Sequence, residues 1–314
     1  MLHRGPASAG TRLVATGLPV FTLHYENDDD GARELGSDSR LLFTAPGDGA
    51  FLVRVQDSRG SAGERFVYRL VVREAKPDFG VRVAEFDGKV NAGSGSAFTL
   101  VADRKDGFDG DITCEITGLP EGWHVTSPLV IQAGHLRARG SLTALAGAAP
   151  WKSAKIFARA QIGGQPVERG IAGLESVKLE GDAPLVISMQ PAGTDQTAPS
   201  FNPGDPSKPY EITIAPGEIM PAWIVLKRGN TKSALRFDVE NLPHGMVVDN
   251  LGLNGITLLE GQDAGEIFLK AAPWVPQIDR LAFAACREAG KQASLPILLH
   301  VRNKERTSGI IQVK

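Results

Sequence analysis

Cysteine is nearly absent from this chain: Cys114 and Cys286 are the two in 314 residues. Two thiols on separate strand-like apolar runs give no disulfide framework of the kind that holds small secreted domains together. An excess of either charge is missing too, since 34 Lys and Arg face 36 Asp and Glu for a net charge of -2. Phosphate binding needs clustered cations, so nucleic acid is not an expected partner. No apolar run reaches the roughly 18 residues of a membrane-spanning helix, and no membrane insertion is expected. Met1 to Arg12 has neither the basic start nor the apolar core of an export signal. The expectation is therefore either a cytoplasmic chain or a piece of a larger exported protein whose signal lies upstream.

What is present is turn chemistry and alternation. The 36 Gly and 20 Pro punctuate short runs in which every second residue is apolar, such as Ala50-Phe51-Leu52-Val53-Arg54-Val55 and Phe66-Val67-Tyr68-Arg69-Leu70-Val71-Val72. That period belongs to strands with one face on a core, and it predicts an all-β chain. Ile278 to Glu288 has some helical character, but its place in the repeat below reads as strand. Proline and glycine breaks near Ala75-Lys76-Pro77 and Glu180-Gly181-Asp182-Ala183-Pro184 divide the chain into residues 1–76, 77–182 and 183–314. The segment Gln190 to Pro209 carries five prolines and reads as a long surface loop, functional or mobile.

An internal repeat organises the last two segments. Leu119-Pro120-Glu121-Gly122 recurs as Leu242-Pro243-His244-Gly245, and Ala148-Ala149-Pro150-Trp151 recurs as Ala271-Ala272-Pro273-Trp274, both displaced by 123 positions. The same displacement matches Ile112, Cys114 and Ile116 with Leu235, Phe237 and Val239. Two copies of one fold are predicted. In the first copy Gly118-Leu119-Pro120-Glu121-Gly122 is a turn, because proline presets φ and glycine accepts positive φ. Trp151 and Trp274 read as a shared structural device at one end of each sandwich, with the indole N–H reaching a partner. The functional alternative is a sugar-stacking pair.

Motifs of the common enzymes are missing. His3, His24, His124, His135, His244 and His300 are not spaced for a metalloprotease helix. Gly93-Ser94-Gly95-Ser96 is not a nucleophile elbow, and neither a phosphate loop nor a dinucleotide fingerprint occurs. Acidic residues are plentiful, so no pair stands out as a glycosidase dyad. The constellation that carries chemistry is Asn27-Asp28-Asp29-Asp30-Gly31 with Asp38. Calcium takes six to eight oxygen ligands, and Asn27, Asp28, Asp30 and Asp38 form a candidate calcium site, with a solvated acidic loop as the alternative.

Phe21 to Arg73 resembles the second half of a bacterial pre-peptidase C-terminal domain. The likeness runs through the acidic turn, Gly36-Ser37-Asp38-Ser39-Arg40-Leu41, Phe43-Thr44-Ala45-Pro46, Gly49 to Val55, and a last strand at Phe66-Val67-Tyr68-Arg69-Leu70. The strands expected before Phe21 are mostly missing or reduced to Gly10 to Pro19, as expected either of a sequence that begins inside the domain or of a shortened member. Residues 78 to 314 resemble the immunoglobulin-like modules that accompany such domains, on the phrases Asp106-Gly107-Phe108-Asp109-Gly110 and Gly118 to Gly122. The second copy departs, having Gly229-Asn230-Thr231-Lys232-Ser233 in place of the first phrase. The resemblance implies tandem β-sandwiches, a partial jelly-roll-like one followed by two immunoglobulin-like ones, in an extracytoplasmic protein. It further implies a monomeric, non-catalytic spacer or binding region that engages protein or polysaccharide at the cell surface. The alternative is an accessory region of a secreted peptidase or glycan hydrolase.

Overall fold

The computed structural model describes residues 2–4, 25–27, 39–57, 59–194, 197–249, 255–288 and 291–303. Among these there is no α-helix, and the regular structure is β-strand. The chain divides into two compact units, residues 1–79 with 103–108, and residues 80–102 with 109–314.

In the first unit, β1 (Leu2–Arg4) pairs antiparallel with β2 (Phe51–Val53). Tyr25, Phe43 and Phe51 meet edge to face at 5.0 Å. The polar counterpart is Asp106, whose φ of 50° turns the chain and aims its carboxylate at three donors. Arg40 Nη2 donates to it at 2.5 Å and the Lys76 amide at 2.9 Å, while Arg73 supplies both guanidinium nitrogens. Arg73 first, then the Lys76 amide and Arg40, hold this carboxyl far below the ordinary range against the opposing effect of burial. The strand expected at Phe66 to Val72 does not form. A strand exists only where a neighbour takes its amides, and this segment has no ladder; its apolar side chains are exposed, Val67 at 90%.

The second unit holds both copies of the repeat. In the first copy one sheet is β3 (Asp78–Ala84), β5 (Ser94–Lys105), β9 (Arg137–Ala144) and β7 (Trp123–Val125). The facing sheet is β11 (Gln165–Ile171), β10 (Lys155–Ile162), β6 (Ile112–Thr117) and β8 (Leu129–Ile131). β4 (Lys89–Ala92) adds to β9 in parallel, and β12 (Lys178–Asp182) adds to β4. In the second copy β13 (Leu185–Pro191), β15 (Ile219–Arg228), β19 (Ala264–Ala271) and β17 (Met246–Val248) face β22 (Ile297–Val301), β20 (Ile278–Cys286), β16 (Leu235–Glu240) and β18 (Ile256–Leu258). β14 (Glu211–Ile214) runs parallel to β22 on the outer edge.

Position for position, the two strand orders agree, four strands facing four, as in an immunoglobulin-like sandwich whose smaller sheet carries one added edge strand. The protein is all-β and its repeat is two such sandwiches. The alternation places Ile112, Cys114 and Ile116 in one core and Leu235 and Phe237 in the other. Ile278 to Cys286 is a strand, as its place in the repeat requires.

The copies are fused by hydrogen bonding. β21 (Gln292–Ala293) pairs with Ser96 and Gly95 of β5 on one side and with Ala285 of β20 on the other. One sheet thereby continues from the first sandwich into the second. Around this join Phe283, Ala285 and Ala293 form a separate buried apolar cluster with Ala97 packed against it. Full burial of Phe283 alone contributes about 2 kcal/mol. Gly95 permits the approach, since a Cβ there would lie 2.8 Å from Ala293 O and from Thr143 Oγ1.

Candidate functional site

Between the two copies lies a cavity of 280 Å³. The first copy contributes Val130 and Gln132 from the end of β8, His135 from the loop that follows, and Arg137, Ala138 and Arg139 from β9. The second contributes Glu240 at the end of β16, the turn residues Asn241, Leu242 and His244, and Arg280 from β20.

The turn that carries His244 is built by its sequence. Asn241, like Gly118 at the same place in the first copy, has positive φ, 60° against 77°. Asparagine tolerates this conformation best after glycine, and the Asn241 amide is further held by Leu281 O at 2.7 Å. Gly245 closes the turn at φ 88°. On the opposite wall the amides of Ala133 and Gly134 donate to Asp111 Oδ1 at 2.7 Å and Asp109 Oδ1 at 2.9 Å, which fixes the loop bearing His135. The His244 amide donates to Gln132 Oε1 at 3.1 Å and so ties the walls together. His135 and His244 meet edge to face at 4.8 Å, and His244 lies 5.1 Å from the Trp274 ring. That indole is 60% exposed.

The electrostatics divide in two. On one side Arg139 is bound by Glu240 at 2.5 Å and Glu85 at 3.0 Å, and Arg137 reaches Glu85 at 3.0 Å. Burial pushes the Glu240 carboxyl up and Arg139 offsets part of that; Thr99, then Arg139 and Arg137, outweigh burial to hold Glu85 down. On the other side stands Arg280. It is 8% exposed, and among the described residues its guanidinium makes one hydrogen bond, from Nη1 to Val130 O at 3.4 Å. Burial lowers its proton affinity and Asp111 alone counters this, yet a guanidinium keeps its charge.

Of the candidate calcium ligands, Asp28, Asp30 and Asp38 lie outside the described residues, and the Asn27 amide donates to Arg40 O. Among the described residues no group of three His, Cys, Asp or Glu is placed to hold a metal. The long loop 190–209 is anchored where it is described: Ser188 Oγ donates to Asn202 O, and Gln190 Nε2 reaches Ser200 O and Asn202 O at 3.3 and 3.2 Å.

The tryptophans are not equivalent, which corrects their reading as one shared device. Trp151 packs edge to face on Trp123 at 4.8 Å and donates to Leu174 O at 3.1 Å. Trp274 instead covers Gly245, a place that Ala148 takes over Gly122 in the first copy. The cause is a change of loop length. The β17–β18 connection, residues 249–255, is four longer than residues 126–128 between β7 and β8, so β9 corresponds to β19 at a displacement of 127. The motif at 123 then falls four residues nearer the strand end in the second copy.

No family model matches the chain, and no curated protein matches it. Among solved structures, a protein of unknown function from Porphyromonas gingivalis W83 is 11% identical, covering 70% of this chain and 99% of its own, with a TM-score of 0.22. Domains 4 and 5 of the S-layer protein SbsC are 14% identical over 73% of this chain and 99% of theirs, at 0.21. The fibronectin(III)-like modules of Clostridium thermocellum CbhA are 14% identical over 71% and 94%, at 0.20. Likenesses this distant carry no functional inference.

Proposed function

We infer that this chain is a non-catalytic, extracytoplasmic module in which two fused sandwiches hold a cleft in fixed geometry for a protein or polysaccharide partner. The observation that carries this reading is β21, which makes one sheet of two copies and leaves no free linker between them. A rigid pair of sandwiches suits a spacer that presents a constant surface. The non-catalytic part is supported by the cleft carboxylate Glu240, which, like Glu85 beside the cleft, commits an oxygen to Arg139. The resemblance of residues 21–73 to a pre-peptidase C-terminal domain supports the extracytoplasmic part of this reading, that of a module in a larger exported protein.

Residual dipolar couplings test it on the full chain. One alignment tensor is expected for residues 80–102 and 109–303; separate tensors for the two copies would overturn the rigid-module reading. Turnover of a peptide or glycan substrate would overturn the non-catalytic part.

A further inference from the structure

The buried guanidinium of Arg280 is the feature of the cleft that folding does not account for. A guanidinium has five N–H donors, and burying one normally requires carboxylates to match them. Arg139, on the facing wall, has two such partners, whereas Arg280 has one long bond to a carbonyl. Replacing such a cation by an apolar residue commonly stabilises a fold, so its presence at an inward position of β20 calls for a ligand. Arg280 lines the cavity together with His244, whose ring packs against that of Trp274.

We propose that the cleft binds an acidic polysaccharide, with Arg280 receiving a sugar carboxylate and the exposed face of Trp274 receiving an adjoining pyranose ring. The planar fork of arginine matches a carboxylate in two parallel hydrogen bonds. A pyranose ring offers a face of C–H groups, which meets the negative face of an indole. At 280 Å³ the cavity is at the small end of ligand pockets, so one charged group enters and the rest of a chain lies along the rim. Gln132, His135 and Asn241 line the same space. This inference rests on the cleft being a binding surface and adds the chemistry of what it takes.

Calorimetric titration of the full chain with polygalacturonate, dextran and poly-L-glutamate tests it, beside the Arg280→Gln and Trp274→Ala variants. Binding of polygalacturonate and not dextran is expected, weakened at least about tenfold by either substitution and weakened by salt. Arg280→Gln should melt no lower than the wild type, which separates lost binding from lost fold. Equal or tighter binding of poly-L-glutamate would replace the glycan by an acidic peptide and overturn the proposal, as would affinity unchanged in Arg280→Gln. Absence of polygalacturonate binding also overturns it; a single alignment tensor in the same sample would leave the rigid-module reading standing.

Discussion

Adding one methyl group at Gly95 should uncouple the two sandwiches. The alanine Cβ would lie 2.8 Å from the carbonyl oxygen of Ala293 and 2.8 Å from Thr143 Oγ1, where ordinary contact begins at 3.4 Å. Thr143 can rotate, but the carbonyl belongs to a two-residue strand whose pairing is the join itself. Overpacking of this kind costs about 1–3 kcal/mol, and a backbone obstacle favours the middle of that range. At about 2–4 °C per kcal/mol for a unit of this size, the melting temperature should fall by about 4–8 °C. Two controls isolate the cause. Gly170→Ala adds a methyl with nothing within 4 Å and should change little. Gly140→Ala drives a Cβ to 2.6 Å from Phe98 Cζ inside the first core, so it should destabilise while keeping one alignment tensor. Calorimetry and dipolar couplings on the three variants together decide the matter. If Gly95→Ala melts like Gly170→Ala and retains one tensor, β21 does not couple the copies.

Asp106 should make the chain acid-sensitive. Its folded carboxyl titrates well below the unfolded value of about 3.9, so its stabilisation is complete above that pH and is lost as pH falls toward the folded value. Asp106→Asn should flatten the acid limb of a melting-temperature profile below about pH 4; an unchanged limb would show that the carboxylate contributes nothing there. The thiols of Cys114 and Cys286 are pushed up to about 12 and about 11 by burial, and should resist a thiol reagent at pH 8 until denaturant is added. Labelling of native protein would contradict their burial. Gly245→Ala would place a methyl 2.5 Å from the Trp274 ring at a φ of 88°, so tryptophan fluorescence should change with the displaced indole; an unaltered spectrum would contradict the contact. Excess calcium should raise the melting temperature if Asn27, Asp28, Asp30 and Asp38 bind it, with no rise in Asp30→Ala.

The architecture was legible because it is written in a local period. Ile112, Cys114 and Ile116 alternate, their counterparts 123 residues later alternate, and both sets face a core. Phe66 to Val72 alternates equally well and forms no strand, because pairing depends on a neighbour that the segment's own sequence does not encode. The cleft was illegible for a related reason, since His135, His244 and Arg280 are brought together by a two-residue strand between distant segments. Two signals were available all the same. His244 replaces Glu121 within an otherwise conserved turn of the repeat, and Arg280 interrupts the inward series that continues through Ala282, Ala284 and Cys286.

The four-residue lengthening between β17 and β18 shows how a duplicated domain can diverge without touching its framework. The strands on either side of it, β17 and β18, keep the antiparallel pairings of β7 and β8, so those hydrogen-bond ladders register no cost. A large aromatic ring has nevertheless moved from an enclosed corner in one sandwich to the surface of the other. Loop length, changed by a handful of codons, is thus a route by which a redundant copy gains a new face while its foldability is inherited intact.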